Sequence, residues 1–195
     1  MSAASGGPPA AGDPAAQARR LIQPLLRVRQ VREFTAEPVA AAELEALADA
    51  ARWSGSSQNE QPWRFVLVRD PETLRRIAEA GTPQTRPLES AAAAIAIALP
   101  VEPSRAVSRA YDEGRAAERI LAAAALLGLG AGITWIRSDV LARVRAALAL
   151  PEDWMVRTIV AVGHPTEVAR RPKSPPGQAR RHRSEAVFRE RWPSR

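Results

Sequence analysis

An α+β fold, with helices packed on a sheet of about four strands, is what three features of this 195-residue chain predict. The first is a change of hydrophobic period along the chain, helical three-to-four-residue spacing alternating with short β-rich runs. The second is Ala91–Leu99 (AAAAIAIAL), apolar throughout, too short for a membrane and set between polar, proline-bearing loops. It reads as a central strand buried on both faces, with a helix as the rival that so much alanine leaves open. The third is Arg109–Leu129, a long run of mostly small residues that ends at Gly128 and Gly130 and reads as one long helix.

Local signals order the remaining elements. Ala15–Leu26 reads as a helix, and so does Ala40–Arg52, where Leu44, Leu47, Ala48 and Ala51 form one apolar face and Pro38 sets the entry. The polar, turn-rich Ser54–Pro62 (SGSSQNEQP) is a loop. Trp63–Arg69 (WRFVLVR) alternates and reads as a strand, followed by a helix over Pro71–Ala80 with proline at its first position. After the long helix come a short strand, Ile133–Ile136, and a helix, Asp139–Leu148, with Ser138 as its expected cap and Pro151 beyond its end. Met155–Val162 (MVRTIVAV) is the last strand, and a Pro- and Arg-rich arm begins at Gly163.

One domain over residues 18–165 is therefore expected. A disordered Ala/Gly/Pro/Ser-rich extension over 1–17 precedes it, and a basic arm over 166–195 follows. An arm of that length needs something to dock on: the domain, a neighbouring subunit or a bound anion.

Composition removes several classes of function. The chain has no cysteine, which excludes a disulfide scaffold, a thiolate metal site and a Cys nucleophile; with only two histidines, His164 and His182, no metal site is expected. From Gly163 to Arg195 there are nine Arg or Lys against three Glu, so this stretch carries six of the seven net positive charges. A near-neutral body with a basic tail, Tyr111 and three Phe offers no stacking platform, which argues against a nucleic-acid partner. The start has neither a basic n-region nor an apolar core. The most apolar run, Ile120–Ile136, is shorter than the ~20 residues of a membrane span and is broken by three glycines. A cytoplasmic protein without membrane contact is expected.

Two segments stand out together: Arg27-Val-Arg-Gln-Val-Arg-Glu-Phe34 with Glu37-Pro38-Val39, and Ser54-Gly-Ser-Ser-Gln-Asn-Glu-Gln-Pro-Trp-Arg-Phe65. With Gly128-Leu-Gly130, Leu150-Pro151, Val162-Gly-His-Pro165 and the tail Arg180-Arg181…Glu185-Ala-Val187…Arg191-Trp192, they resemble the nitroreductase family of FMN-dependent oxidoreductases over about Leu25–Trp192. Gln30 stands where a Ser is common, Val28 where an Arg is common, and His164 where the family usually has Tyr.

The resemblance implies an interlocked homodimer built on a mixed, mainly antiparallel sheet flanked by helices, with one flavin in each interface cleft. The phosphate dianion would be held by Arg27, Arg29 and the tail pair Arg180 and Arg181, with Gln30 at the usual serine position; guanidinium forks are suited to that task. Arg32 would stabilise negative charge on the reduced ring, the competing possibility being a surface ion pair with Glu33 or Glu37. Ser56, Ser57 and Asn59 would reach the partner's flavin, and Thr134, Trp135 and Arg137 would lie along the ring. The implied activity is that of an FMN-dependent enzyme using NAD(P)H to reduce a small electron-poor acceptor, nitroaromatic or quinone, in a ping-pong cycle. The chemistry falls to the flavin N5, with no protein acid or base. A binding protein of the same fold without turnover, and a flavin-dependent dehydrogenase of a peptide-like substrate, are the alternatives.

Overall fold

The computed structural model of the chain describes residues 13–175 and 178–193. Four strands form one antiparallel sheet in the order β1-β2-β4-β3, comprising β1 (Arg64–Val68), β2 (Ala93–Pro100), β3 (Gly130–Trp135) and β4 (Trp154–Gly163). The helices are α1 (Pro14–Arg27), α2 (Ala41–Arg52), α3 (Pro71–Gly81), α4 (Ala106–Leu126), α5 (Leu141–Ala147) and the short α6 (Glu167–Arg170) and α7 (Arg183–Ala186).

The Ala91–Leu99 segment is the central strand that its pattern suggested, and its alternation explains how both faces are filled. Ile95, Ile97 and Leu99 point to one face, where they pack with Leu44 and Leu47 of α2, Ile120 and Leu121 of α4, and Val160 and Val162 of β4. Ala94, Ala96 and Ala98 point to the other, against Leu74 and Ile77 of α3, Val140, and Val144 of α5. Large residues meet α2 and α4, and small ones let α3 and α5 approach; each fully buried Leu or Ile contributes about 1.5–3 kcal/mol.

Local chemistry sets the ends. Asp70 caps α3, accepting from the Thr73 amide at 2.9 Å with Pro71 at the first helical position. Asp13 caps α1 in the same way, so Pro14–Gln17 belong to a helix rather than to the disordered extension expected over 1–17; residues 1–12 lie outside the described residues. The long helix runs three residues earlier than its expected bounds. Gly128, at φ 75°, turns the chain out of it, and the freed Gly130–Gly132 begin β3 by pairing with β4. Ser138 does not cap α5: it lies in a single 3-10 turn, and the N-cap position is Val140, without a side-chain bond.

Two surfaces remain uncovered in this one chain. α1 buries no residue, and Leu21, Ile22, Leu25 and Leu26 form an apolar stripe that is 45–76% exposed. Val107, Tyr111 and Leu126 of α4 and Trp53 at the end of α2 are likewise exposed.

Gly132 has a steric duty. A Cβ there would lie far inside contact distance of the carbonyl oxygen of Val31. Gly132→Ala is expected to lower the unfolding free energy by about 1–3 kcal/mol, the cost of overpacking, measured by urea titration against wild type.

Candidate functional site

The site begins with a strap, residues 28–35, laid along the open edge of β3. The Val31 amide donates to the Ala131 carbonyl at 2.8 Å, the Thr35 amide to the His164 carbonyl at 2.8 Å, and the Thr166 amide to the Glu33 carbonyl at 3.2 Å. Phe34 bridges to Pro165 and, with Val31, is buried. The arginines before and between these anchors are left exposed: Arg27 at the end of α1, then Arg29 and Arg32. Among the described residues none of the three forms an ion pair. Arg32 therefore does not pair with Glu33 or Glu37. Its Nη2 donates to Gln30 Oε1 at 3.1 Å, and the same oxygen accepts from the Ile133 amide at 3.2 Å.

Two concave spaces flank the strap. One of about 500 Å³ is lined by Arg20, Arg27 and Arg29 together with Val31, Leu126 and Leu129. The other, about 460 Å³, is lined by Arg32, Arg86 and Lys173 with Ile133, Trp135, Pro83 and Pro87, and Glu33 is its one carboxylate. Arg86 and Lys173 had no sequence signal. Arg86 is in the turn before β2, which reads only as a polar loop, and Lys173 is one cation among many in the arm.

The expected residues of β3 and its exit are divided by the structure. Thr134 is fully buried and its hydroxyl donates to the Ile159 carbonyl at 2.7 Å, as strand alternation requires, so only its backbone is open to a ligand at the strap. Trp135, next along, is 53% exposed and lines the second space. The Arg137 guanidinium is taken by Asp139, at 2.9 Å from Nε and 2.5 Å from Nη2, which holds the Asp139 carboxyl below the usual carboxylate range.

The arm divides too. Its first turn docks, because Arg29 Nη2 donates to the Arg170 carbonyl and Arg170 Nε to that of Pro165. Arg180 and Arg181 are exposed, and among the described residues the hydrogen bonds of 178–193 stay within the arm. One chain does not bring the tail pair to Arg27 and Arg29.

The Ser54–Pro62 loop is built differently from an open polar loop. Ser57–Asn59 make a single 3-10 turn, and Gln58, Asn59 and Gln61 are all left-handed, at φ 53°, 57° and 51°. Ser56 Oγ accepts from the Gln61 amide at 2.9 Å, and the Ser57 amide donates to Asp112 Oδ1 at 3.0 Å. Asn59 is exposed. Glu60 is gripped by Arg105 and, at 2.7 Å, by Arg109, which also holds Glu102. The hydrogen bond from Arg109, helped by the charges of both arginines and opposed by partial burial, keeps the Glu60 carboxyl below its ordinary range. This loop meets α4 at Asp112, whereas the strap's first space reaches α4 at Leu126. Fourteen helical residues separate those points by about 20 Å. Two groups of candidate residues thus lie at opposite ends of one helix.

The comparisons with known proteins agree on a family. A model of the nitroreductase family matches residues 27–113. A protein of Archaeoglobus fulgidus named "Putative NADH dehydrogenase/NAD(P)H nitroreductase" is 32% identical over 145 residues, spanning 71% of this chain and 82% of that one. The crystal structure of a protein of the same name from Parabacteroides distasonis superposes with a TM-score of 0.75 at 26% identity, covering 89% of this chain and 99% of its own. An FMN-dependent nitroreductase from Clostridium difficile shares the fold, with a TM-score of 0.74 at 23% identity over 88% of this chain and 99% of its own.

The Glu60 ion pairs give a pH signature whose sign is fixed. A carboxyl depressed in the folded state adds stability above its unfolded value, near 4.5, and loses it as pH falls through the lower folded value. Glu60→Gln is expected to lower the melting temperature at pH 7, with the gap to wild type closing below pH 4.5 in a series of thermal melts.

Proposed function

The chain belongs to the nitroreductase family of oxidoreductases, and from that premise we propose that it binds FMN along the strap and uses NAD(P)H to reduce a small electron-poor acceptor. The observation that carries this reading is the row of exposed Arg27, Arg29 and Arg32, none in an ion pair among the described residues, on and beside a backbone fixed by hydrogen bonds to β3 and to the start of the arm, with an exposed Trp135 beside it. A phosphate dianion needs guanidinium forks to replace its water, and Arg27 and Arg29 line one space with no carboxylate among its lining residues. The second space suits a flat, partly apolar ring. Proline, Ile133 and Trp135 form its walls, and Arg32, Arg86 and Lys173 supply positive potential where reduction would place negative charge.

When bound, FMN supplies the two-electron chemistry, accepting hydride from NAD(P)H and passing it to the acceptor. The protein's part is to bind and orient. Arg32, held by Gln30, stands at one edge of the second space as a fixed cation. Gln30 takes the place of a serine by bonding the Ile133 amide and Arg32 at once, which stiffens the strap against β3. Arg137, its guanidinium committed to Asp139, has only its backbone to offer.

A second copy of the chain completes the reading. Ser56, Ser57 and Asn59 are about 20 Å along α4 from the strap's first space, so within one chain they do not share a ligand with Arg27 and Arg29. Across a homodimer they can. The apolar stripe of α1 and the exposed Tyr111, Val107 and Trp53 provide surface for that contact, and Arg180 and Arg181 would reach a phosphate site in the same assembly.

The test is spectroscopic. Purified protein reconstituted with FMN is expected to be yellow and dimeric, to lose its visible flavin band with NAD(P)H under anaerobic conditions, and to recover it with a quinone or nitroarene. Arg32→Ala should weaken FMN binding about 10- to 100-fold in a fluorescence titration, the loss of a charge-assisted contact. Colourless, monomeric protein would falsify the proposal.

A further inference from the structure

Asp112 is the buried group that the proposed function leaves unused. It is 1% exposed on α4; its Oδ1 holds the Ser57 amide across 55 residues of sequence, and its Oδ2 is buried without a hydrogen-bond partner among the described residues. An unpaired carboxylate oxygen away from water opposes folding, so stability alone does not account for this residue.

What Asp112 holds is the strained part of the loop. Three residues with side chains, Gln58, Asn59 and Gln61, are left-handed within four positions, a conformation that persists only where the surroundings over-determine it. Those surroundings come largely from α4 and the turn before it. Asp112 fixes the start of the turn through Ser57, and Arg105 and Arg109 fix its end through Glu60. Arg109, only 6% exposed and tied also to Glu102, is itself immobilised. Between the two anchors the Ser56 hydroxyl closes onto the Gln61 amide, and Asn59 is left facing outward.

We infer that Asp112 is a positioning residue for the flavin site: by holding the Ser57 amide it fixes the left-handed turn that presents Ser57 and Asn59 to the cofactor of the partner subunit. This rests on the proposed placement of FMN between two protomers. Asp112 touches no reacting atom and acts through the loop alone. The acceptor oxygen matters for that role, and the negative charge does not.

The experiment compares Asp112→Ala with Asp112→Asn in the reconstituted dimer, reading the FMN dissociation constant by fluorescence and the visible circular dichroism of the bound flavin. Asp112→Ala should weaken binding about tenfold or more and change the dichroic band. Asp112→Asn, which keeps an acceptor for the Ser57 amide, should stay within about threefold and keep the wild-type band. Wild-type protein that takes up FMN and is bleached by NAD(P)H secures the functional reading, and wild-type protein that takes up none defeats both. With wild type behaving as expected, Asp112→Ala that binds within about threefold with an unchanged band, or Asp112→Asn that is as impaired as Asp112→Ala, overturns the inference and leaves the function standing. Should Asp112→Ala fail to fold, Ser57→Pro deletes the donor instead. Ser56 already has the extended φ −132°, ψ 162° that a residue before proline needs. It should bind FMN more weakly than Ser57→Ala, which keeps the amide, and equal affinity of the two would also overturn the inference.

Discussion

The structure depends on one backbone contact, the docking of residues 28–35 on the free edge of β3. An edge strand exposes a row of unpaired amides and carbonyls. Here the strap supplies partners at Ala131, at Ile133 through Gln30, and at His164 beyond the end of β4. The Val31 carbonyl comes so near Gly132 that no side chain fits, and Val31 and Phe34 side chains occupy the space that a Cβ at Gly130 or Gly163 would need. Three glycines on two strands thus serve one crossing segment. Because the strap is held by its backbone and by Val31 and Phe34, its exposed arginines make only hydrogen bonds to uncharged acceptors, Arg29 to the Arg170 carbonyl and Arg32 to Gln30, and among the described residues no ion pair competes for their charge.

Against that fixed strap, α4 acts as a spacer. Its buried face, with Ala116, Ala117, Ile120, Leu121 and Ala124, packs on the sheet and on α2, which makes its position rigid. One end carries the clamp on the Ser54–Pro62 loop, and the other approaches the strap. A single helix therefore holds two sets of polar groups apart, an arrangement that a two-fold assembly can turn into two composite clefts. Of the polar groups buried along α4, Asp112 and Arg109 hold the loop, while Glu113, beside Arg157 of β4, has its carboxyl pushed above the ordinary range by burial.

Much of the fold was legible because the relevant physics is local. Ala91–Leu99 could be read as a strand buried on both faces because it is short, apolar throughout and set between polar loops, and the structure uses its large and small residues in alternation to fill those faces. Pro71 announced α3, and Leu44, Leu47 and Ala51 gave the buried side of α2. Errors fell where a local cue met a tertiary demand. Ser138 looks like a cap, yet the chain makes a 3-10 turn there and α5 starts at Leu141. The strand expected from Ile133 begins at Gly130, because the small residues there make room for the strap rather than breaking the chain. In the segment expected along the ring, the pleat turns the Thr134 side chain inward and leaves Trp135 exposed, an alternation that only the register of β3 decides.

By itself the sequence determined the elements, the two-faced core and the chemical character of the site: arginines at both ends of the chain, a serine–asparagine loop, and neither thiol nor clustered imidazole. The elements and the core follow from spacing and composition, which act over a few residues, whereas the candidate site is what the resemblance of its motifs to a family implies. Only the tertiary structure decided which of these groups meet. It joined Arg86 and Lys173 to Arg32, turned Thr134 inward, left Arg180 and Arg181 apart from Arg29 in a single chain, and placed Asp112 beneath Ser57. The physical reason is that such meetings depend on strand register, on the length of α4 and on the closure of loops 55 to 141 residues long, and none of these is encoded in a local window.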